Sequence, residues 1–186
     1  MSMTNQLTPE QVAEQDRLLG KGTNWQIFNF AVNTAAANVP ALQARMVETN
    51  CAPWLACKFI REVNGASGAA FLQTVLTHGD GNDAFFLAYD SGDLDAEAIC
   101  ALQGVVLGPK GKPWDCYRFA LHIPHTVANC DVNVQALFDH AQSQQFLGLH
   151  GDQIDRFNLL KNQFVERQTH AVQPDPDEES TEHPIG

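Results

Sequence analysis

The sequence predicts an α+β fold: one helix-dominated domain with a small sheet of about three strands, antiparallel or mixed. Two observations carry that reading. The first half and the end of the chain place apolar residues at helical spacing, whereas a middle stretch offers short apolar runs between Gly-, Pro- and Asp-rich turns. Length sets the scale: 186 residues with a 44% hydrophobic fraction suffice for one core without staples. The domain is expected to span residues 1–172, followed by an acidic tail at 173–186.

The first helix is punctuated at both ends. Thr8 can cap it, Pro9 suits the first helical position, Gln11 completes a capping box, and Leu7 with Val12 forms a hydrophobic staple. Gly20 is a natural stop. A second helical segment runs from about Asn24 to Ala37, with Trp25, Phe28, Val32, Ala35 and Ala36 at helical spacing. Pro40 can open a third helix with Leu42, Met46 and Val47. Pro53 can open a fourth with Leu55, Phe59 and Val63, and Asn64-Gly65 ends it. A fifth, Gly68 to Thr77, carries Phe71, Leu72, Val75 and Leu76.

The middle changes character. His78 to Asp83 has turn chemistry, and Ala84 to Tyr89 is a short apolar run that reads as a buried strand. Asp90-Ser91-Gly92-Asp93 is a second turn, followed by a helical stretch from Leu94 to Gln103. Val105-Val106-Leu107 and Cys116 to Ile123 flank a Gly/Pro/Lys loop, the pattern of a hairpin. Helices return with Val134, Leu137, Phe138 and Ala141, then with Ile154, Phe157, Leu160 and Phe164 behind Asp152. The expected core includes Trp25, Phe28, Phe59, Phe71, Phe86, Phe119, Phe138, Phe157 and Phe164. The tail, with two prolines in Gln173-Pro174-Asp175-Pro176 and no bulky apolar residue near them, is expected to be disordered.

Charge bounds the partner class. The net charge is −11, of which Asp175, Asp177, Glu178, Glu179 and Glu182 supply five in a tail without Lys or Arg, leaving −6 for the body. Such a chain repels phosphate, so nucleic acid is not an expected partner. No apolar run reaches a membrane span, and the N-terminus lacks the basic and apolar regions of a secretory signal. Five cysteines, an odd number, suit reduced thiols, so a cytoplasmic location is expected.

Four features invite a chemical reading. Gly108-Pro109-Lys110-Gly111-Lys112-Pro113-Trp114 pairs two lysines with an aromatic in an acidic chain, so Lys110, Lys112 and Trp114 form a candidate binding loop for a carboxylate, a phosphate or an acidic surface. His122, His125 and Cys130 supply zinc-type ligands with room for an open position, although the spacing matches no established zinc motif. Asp80-Gly81-Asn82-Asp83 opens like a calcium loop but continues with Ala84 and Phe85 where ligands would be needed. Ser67 lies in Gly65-Ala66-Ser67-Gly68, which is neither a nucleophile elbow nor a phosphate loop and reads as a helix cap.

No catalytic constellation is complete. The expected function is therefore a non-catalytic cytoplasmic protein-binding protein, an adaptor, inhibitor or immunity-type partner with an acidic surface. Its partner is a protein of basic character, and no cofactor is expected. The alternative is a small enzyme, a metal-assisted hydrolase in which zinc is held by His122, His125 and Cys130.

Overall fold

A computed structural model describes residues 6–126 and 132–171. Among these residues there are ten α-helices and no strand. They are α1 (Pro9–Lys21), α2 (Asn24–Asn33), α3 (Val39–Glu48), α4 (Pro53–Glu62), α5 (Gly68–His78), α6 (Gly81–Asp90), α7 (Ala96–Val106), α8 (Pro113–Thr126), α9 (Val134–Ser143) and α10 (Gly151–Ala171). The fold is thus a helical bundle, and the expected α+β architecture with a three-stranded sheet is wrong. The expected tail lies outside the described residues.

The correction concerns the middle of the chain. Ala84 to Tyr89 is part of α6. That helix packs against α4, α5, α7 and α8 at once. A helix surrounded this way is apolar on most sides, and its sequence then resembles a buried strand. Its start is marked chemically. Asp80 accepts from Asp83 N at 3.0 Å and Asp83 accepts from Asp80 N at 3.2 Å, a reciprocal capping box in the segment that reads as a turn. The presumed hairpin is likewise α7, a connection and α8. Cys116, Phe119, Ala120 and Ile123, all buried, recur at i, i+3, i+4 and i+7, which is helical spacing.

The other helices follow their punctuation. The Thr8 capping box and Pro9 open α1, and a second capping box of Thr23 and Gln26 opens α2. Helix α2 ends at Asn33, short of the expected Ala37. Helix α1 runs one residue past Gly20, and Gly22 closes it by donating its N–H to Leu18 O at 2.8 Å.

The helices pack largely in chain order. Helices α1 to α3 form one end, α4 to α7 the middle, and α8 to α10 the other end. Aromatic rings stitch the core at two places. Phe28, Phe59 and Phe71 pack in succession, tilted and then edge-on, at centroid distances of 6.4 and 5.8 Å. Near the far end Tyr117 and Phe138 both pack edge-on against Phe157, at 5.7 and 5.3 Å. Of the expected core aromatics, Phe28, Phe59, Phe71, Phe119, Phe138 and Phe157 are buried, while Phe86 and Phe164 are half-buried. Trp25 is 48% exposed and lies against the exposed Trp54, ring centroids 6.3 Å apart. Among the described residues, no helix is long and apolar enough to cross a membrane.

Candidate functional site

The acidity of the body is segregated. Between Arg61 and Lys110 the sequence holds seven carboxylates and not one Lys or Arg. That stretch alone exceeds the −6 of residues 1–172, so the rest of the body is close to neutral. It folds into the end of α4 and all of α5, α6 and α7. Two of its acids meet cations: Glu62 lies 2.7 Å from Lys58 and Asp90 lies 2.9 Å from Arg61. Among the described residues Asp93, Asp95 and Glu97 take part in no ion pair.

Helix starts hold two of these acids in place. Ser67 caps α5 by accepting from Ala70 N, and its hydroxyl donates to Asp93 Oδ2 at 2.6 Å. Gly68 N donates to Asp93 Oδ1 at 2.9 Å, so Asp93 supports the start of α5 from the segment leading into α7. Asp95 caps α7, accepting from Ala98 N at 2.8 Å. Helix dipoles favour negative charge here, which makes unpaired carboxylates tolerable. The start of α5 also approaches the end of α6 too closely for a side chain. A Cβ on Gly68 would lie 2.4 Å from Ser91 Cβ.

These contacts bring the starts of α5 and α7 to the same end, and an open groove of about 270 Å³ runs between the two helices. Its floor is Ala69, Leu72 and Leu76 from α5 and Leu94, Ala98 and Ala101 from the α7 side. Asp93, Asp95 and Glu97 border it, all exposed. The lining is therefore apolar surface edged by carboxylate, with no cation in it. The volume falls just below the usual range for small-molecule sites, about 300–1,000 Å³.

The loop singled out by sequence is a helix connection. Lys110 and Lys112 are exposed. Lys110 Nζ donates to His78 O at the end of α5, at 3.4 Å, and Lys112 N donates to Asp115 Oδ2 at 3.1 Å. Gly111 is required sterically, because a Cβ there would fall 1.7 Å from Val106 O. Trp114 is partly exposed, with its ring 5.7 Å from Tyr117 and 5.5 Å from the Arg118 guanidinium. Arg118 pairs with the buried Asp115 at 2.7 Å, donates to Asn82 Oδ1 at 2.9 Å and lies 4.3 Å over the Phe85 ring. The ion pair lies within α8 and sets the Arg118 side chain, and the contacts of that side chain with Asn82 and Phe85 fasten α8 to α6.

The expected metal ligands fare differently. His122 is on α8, its ring 5.6 Å from Tyr89 and 6.0 Å from Phe85. The side chain of His125 and the whole of Cys130 lie outside the described residues. Among the described residues, no group of three or more His, Cys, Asp or Glu is arranged to hold a metal ion. The calcium-like Asp80 and Asp83 serve the capping box of α6. Burial, helped by the charges of Asp80 and Asp115, pushes the Asp83 carboxyl above its ordinary range. Burial also pushes the thiols of Cys51, Cys57 and Cys116 up to about 11, 12 and 12, which leaves them poor nucleophiles at neutral pH.

Sequence reasoning passed over the groove. Its signal is the 48-residue interval from 62 to 109 without a cation, visible once charge is tallied along the chain instead of as a body total. Compared with protein-family models, with curated proteins and with solved structures, the chain matches none.

Proposed function

We propose that the chain is a non-catalytic binding protein of the cytoplasm, an adaptor, inhibitor or immunity-type partner, that takes a basic protein segment into the groove between α5 and α7. One observation carries this reading: an apolar floor edged by three carboxylates, in a stretch of sequence without a cation. Apolar contact supplies affinity for an anchoring side chain. The carboxylates select Lys or Arg beside that anchor and speed encounter with a basic surface. The same charges oppose phosphate backbones and the chain's own acidic tail. Free thiols at Cys51, Cys57, Cys100 and Cys116 suit a reducing compartment.

The test is a nuclear magnetic resonance titration of the ¹⁵N-labelled chain with a leucine/lysine amphipathic peptide. Amide shifts concentrated on α5, the 93–95 segment and α7 are expected. Shifts scattered over other acidic residues, or none at about 1 mM peptide, a free energy of only about 4 kcal/mol, would overturn the reading.

A further inference from the structure

We infer that the occupant of the α5–α7 groove is a short amphipathic helix, about two turns long in contact, that lies antiparallel to α7 with Lys or Arg in its last turn. This rests on the binding reading above and adds the conformation and direction of the ligand.

Backbone chemistry selects a helix. An extended segment laid on this apolar floor would find no sheet edge to pair its N–H and C=O groups and would leave those facing the floor unpaired. The walls of the groove are α5, α7 and the short turn that leads into α7, and the described residues contain no strand. A helical ligand satisfies its own backbone and presents only side chains.

Shape agrees. Ala69, Leu72 and Leu76 are spaced i, i+3 and i+7 along α5, and Ala98 and Ala101 are spaced i and i+3 along α7. Seven residues of helix rise about 10 Å, close to two turns. A ligand ridge of apolar residues at i, i+3 or i+4, and i+7 fits between two such stripes. The alanines of α7 leave space for the ligand backbone to come close.

Charge sets the direction. Asp93, Asp95 and Glu97 all lie at the end of the groove where α5 and α7 begin. Lysine and arginine at the C-terminal turn of a ligand helix complement that helix's own dipole. Placed over this end, they meet the three carboxylates as well. The ligand's negative C-terminal pole also faces the positive poles of α5 and α7. Each of these terms favours the antiparallel arrangement.

The test uses capped leucine/alanine/lysine peptides of about 14 residues, long enough for helix formation on binding. One carries its lysines in the last turn, one in the first turn, and one repeats the first with a central proline. Dissociation constants are measured against the full chain at low ionic strength. The last-turn peptide is expected to bind several-fold more tightly than the first-turn peptide, and the proline peptide at least about tenfold more weakly. Equal binding by the proline peptide would overturn the helical conformation, and tighter binding by the first-turn peptide would overturn the direction. In both cases the groove remains a binding site. Failure of all three peptides to bind would overturn the function proposed for the groove along with this inference.

Discussion

Replacing Arg118 with Met removes the buried ion pair inside α8 together with the contacts of Arg118 that join α8 to α6. Arg118 and Asp115 are 13% and 4% exposed, and the pair lies 2.7 Å apart. Breaking a buried pair by removing one partner costs about 3–5 kcal/mol, because the remaining charge stays buried. Two features of the structure place the loss at the lower end. Asp115 retains the N–H of Lys112, and the Arg118 Nε that Met eliminates is itself buried without a hydrogen-bond partner. The expected loss is therefore about 3 kcal/mol, a large share of a typical stability of about 5–15 kcal/mol. For a chain of this size it corresponds to a fall in Tm of about 6–12 °C. Urea unfolding followed by far-ultraviolet circular dichroism measures it. Adding Asp115→Asn removes the stranded charge, so the double variant should recover more than half of the loss. A single variant within about 1 kcal/mol of the parent, the ordinary scale of a point substitution, would refute the reasoning. So would a double variant no more stable than the single one.

Three further outcomes follow from the same geometry. Asp83 titrates above its ordinary value because it is buried and faces Asp80 and Asp115. Its protonated form is favoured in the fold, a contribution present in full below about 3.8, the unperturbed value, and lost as pH rises through the elevated one. Asp83→Asn keeps the capping acceptor, so it should be the more stable chain near neutrality, with the gain shrinking toward acid pH in urea titrations. Iodoacetamide at neutral pH should modify the exposed Cys100 long before Cys51, Cys57 or Cys116, as peptide mapping would reveal; equal rates would contradict the packing. Gly68→Ala forces a Cβ into Ser91 and should cost about 1–3 kcal/mol by overpacking, read in the same unfolding assay.

Helix starts were legible in the sequence because caps are local chemistry. Thr8 with Gln11, Pro9, Pro53 and Ser67 each act within one turn of themselves. Ala84 to Tyr89 was not legible, because its period is hidden when neighbours cover it on most sides, and the deciding signal was the Asp80–Asp83 box beside it. The assignment of Cys116 to Ile123 as a strand failed for a different reason. Pro113, which opens α8, was read as part of a hairpin turn. Lys110, Lys112 and Trp114 are distinctive in sequence; in the fold Lys110 Nζ reaches His78 O, Lys112 N donates to Asp115 and Trp114 lies beside Arg118. The groove was illegible as a shape, since it depends on how α5 and α7 sit together. Only its charge was written in the sequence.

The central claim is that the α5–α7 groove is where this chain binds. Ala101 is exposed on its floor, so a tryptophan there fills the groove without entering the core. The most direct measurement compares the affinity of the parent chain and Ala101→Trp for the leucine/lysine peptide. A loss of about tenfold or more, roughly 1.4 kcal/mol, with an unchanged unfolding midpoint, is the predicted result. Equal affinities in two equally stable chains would contradict the claim.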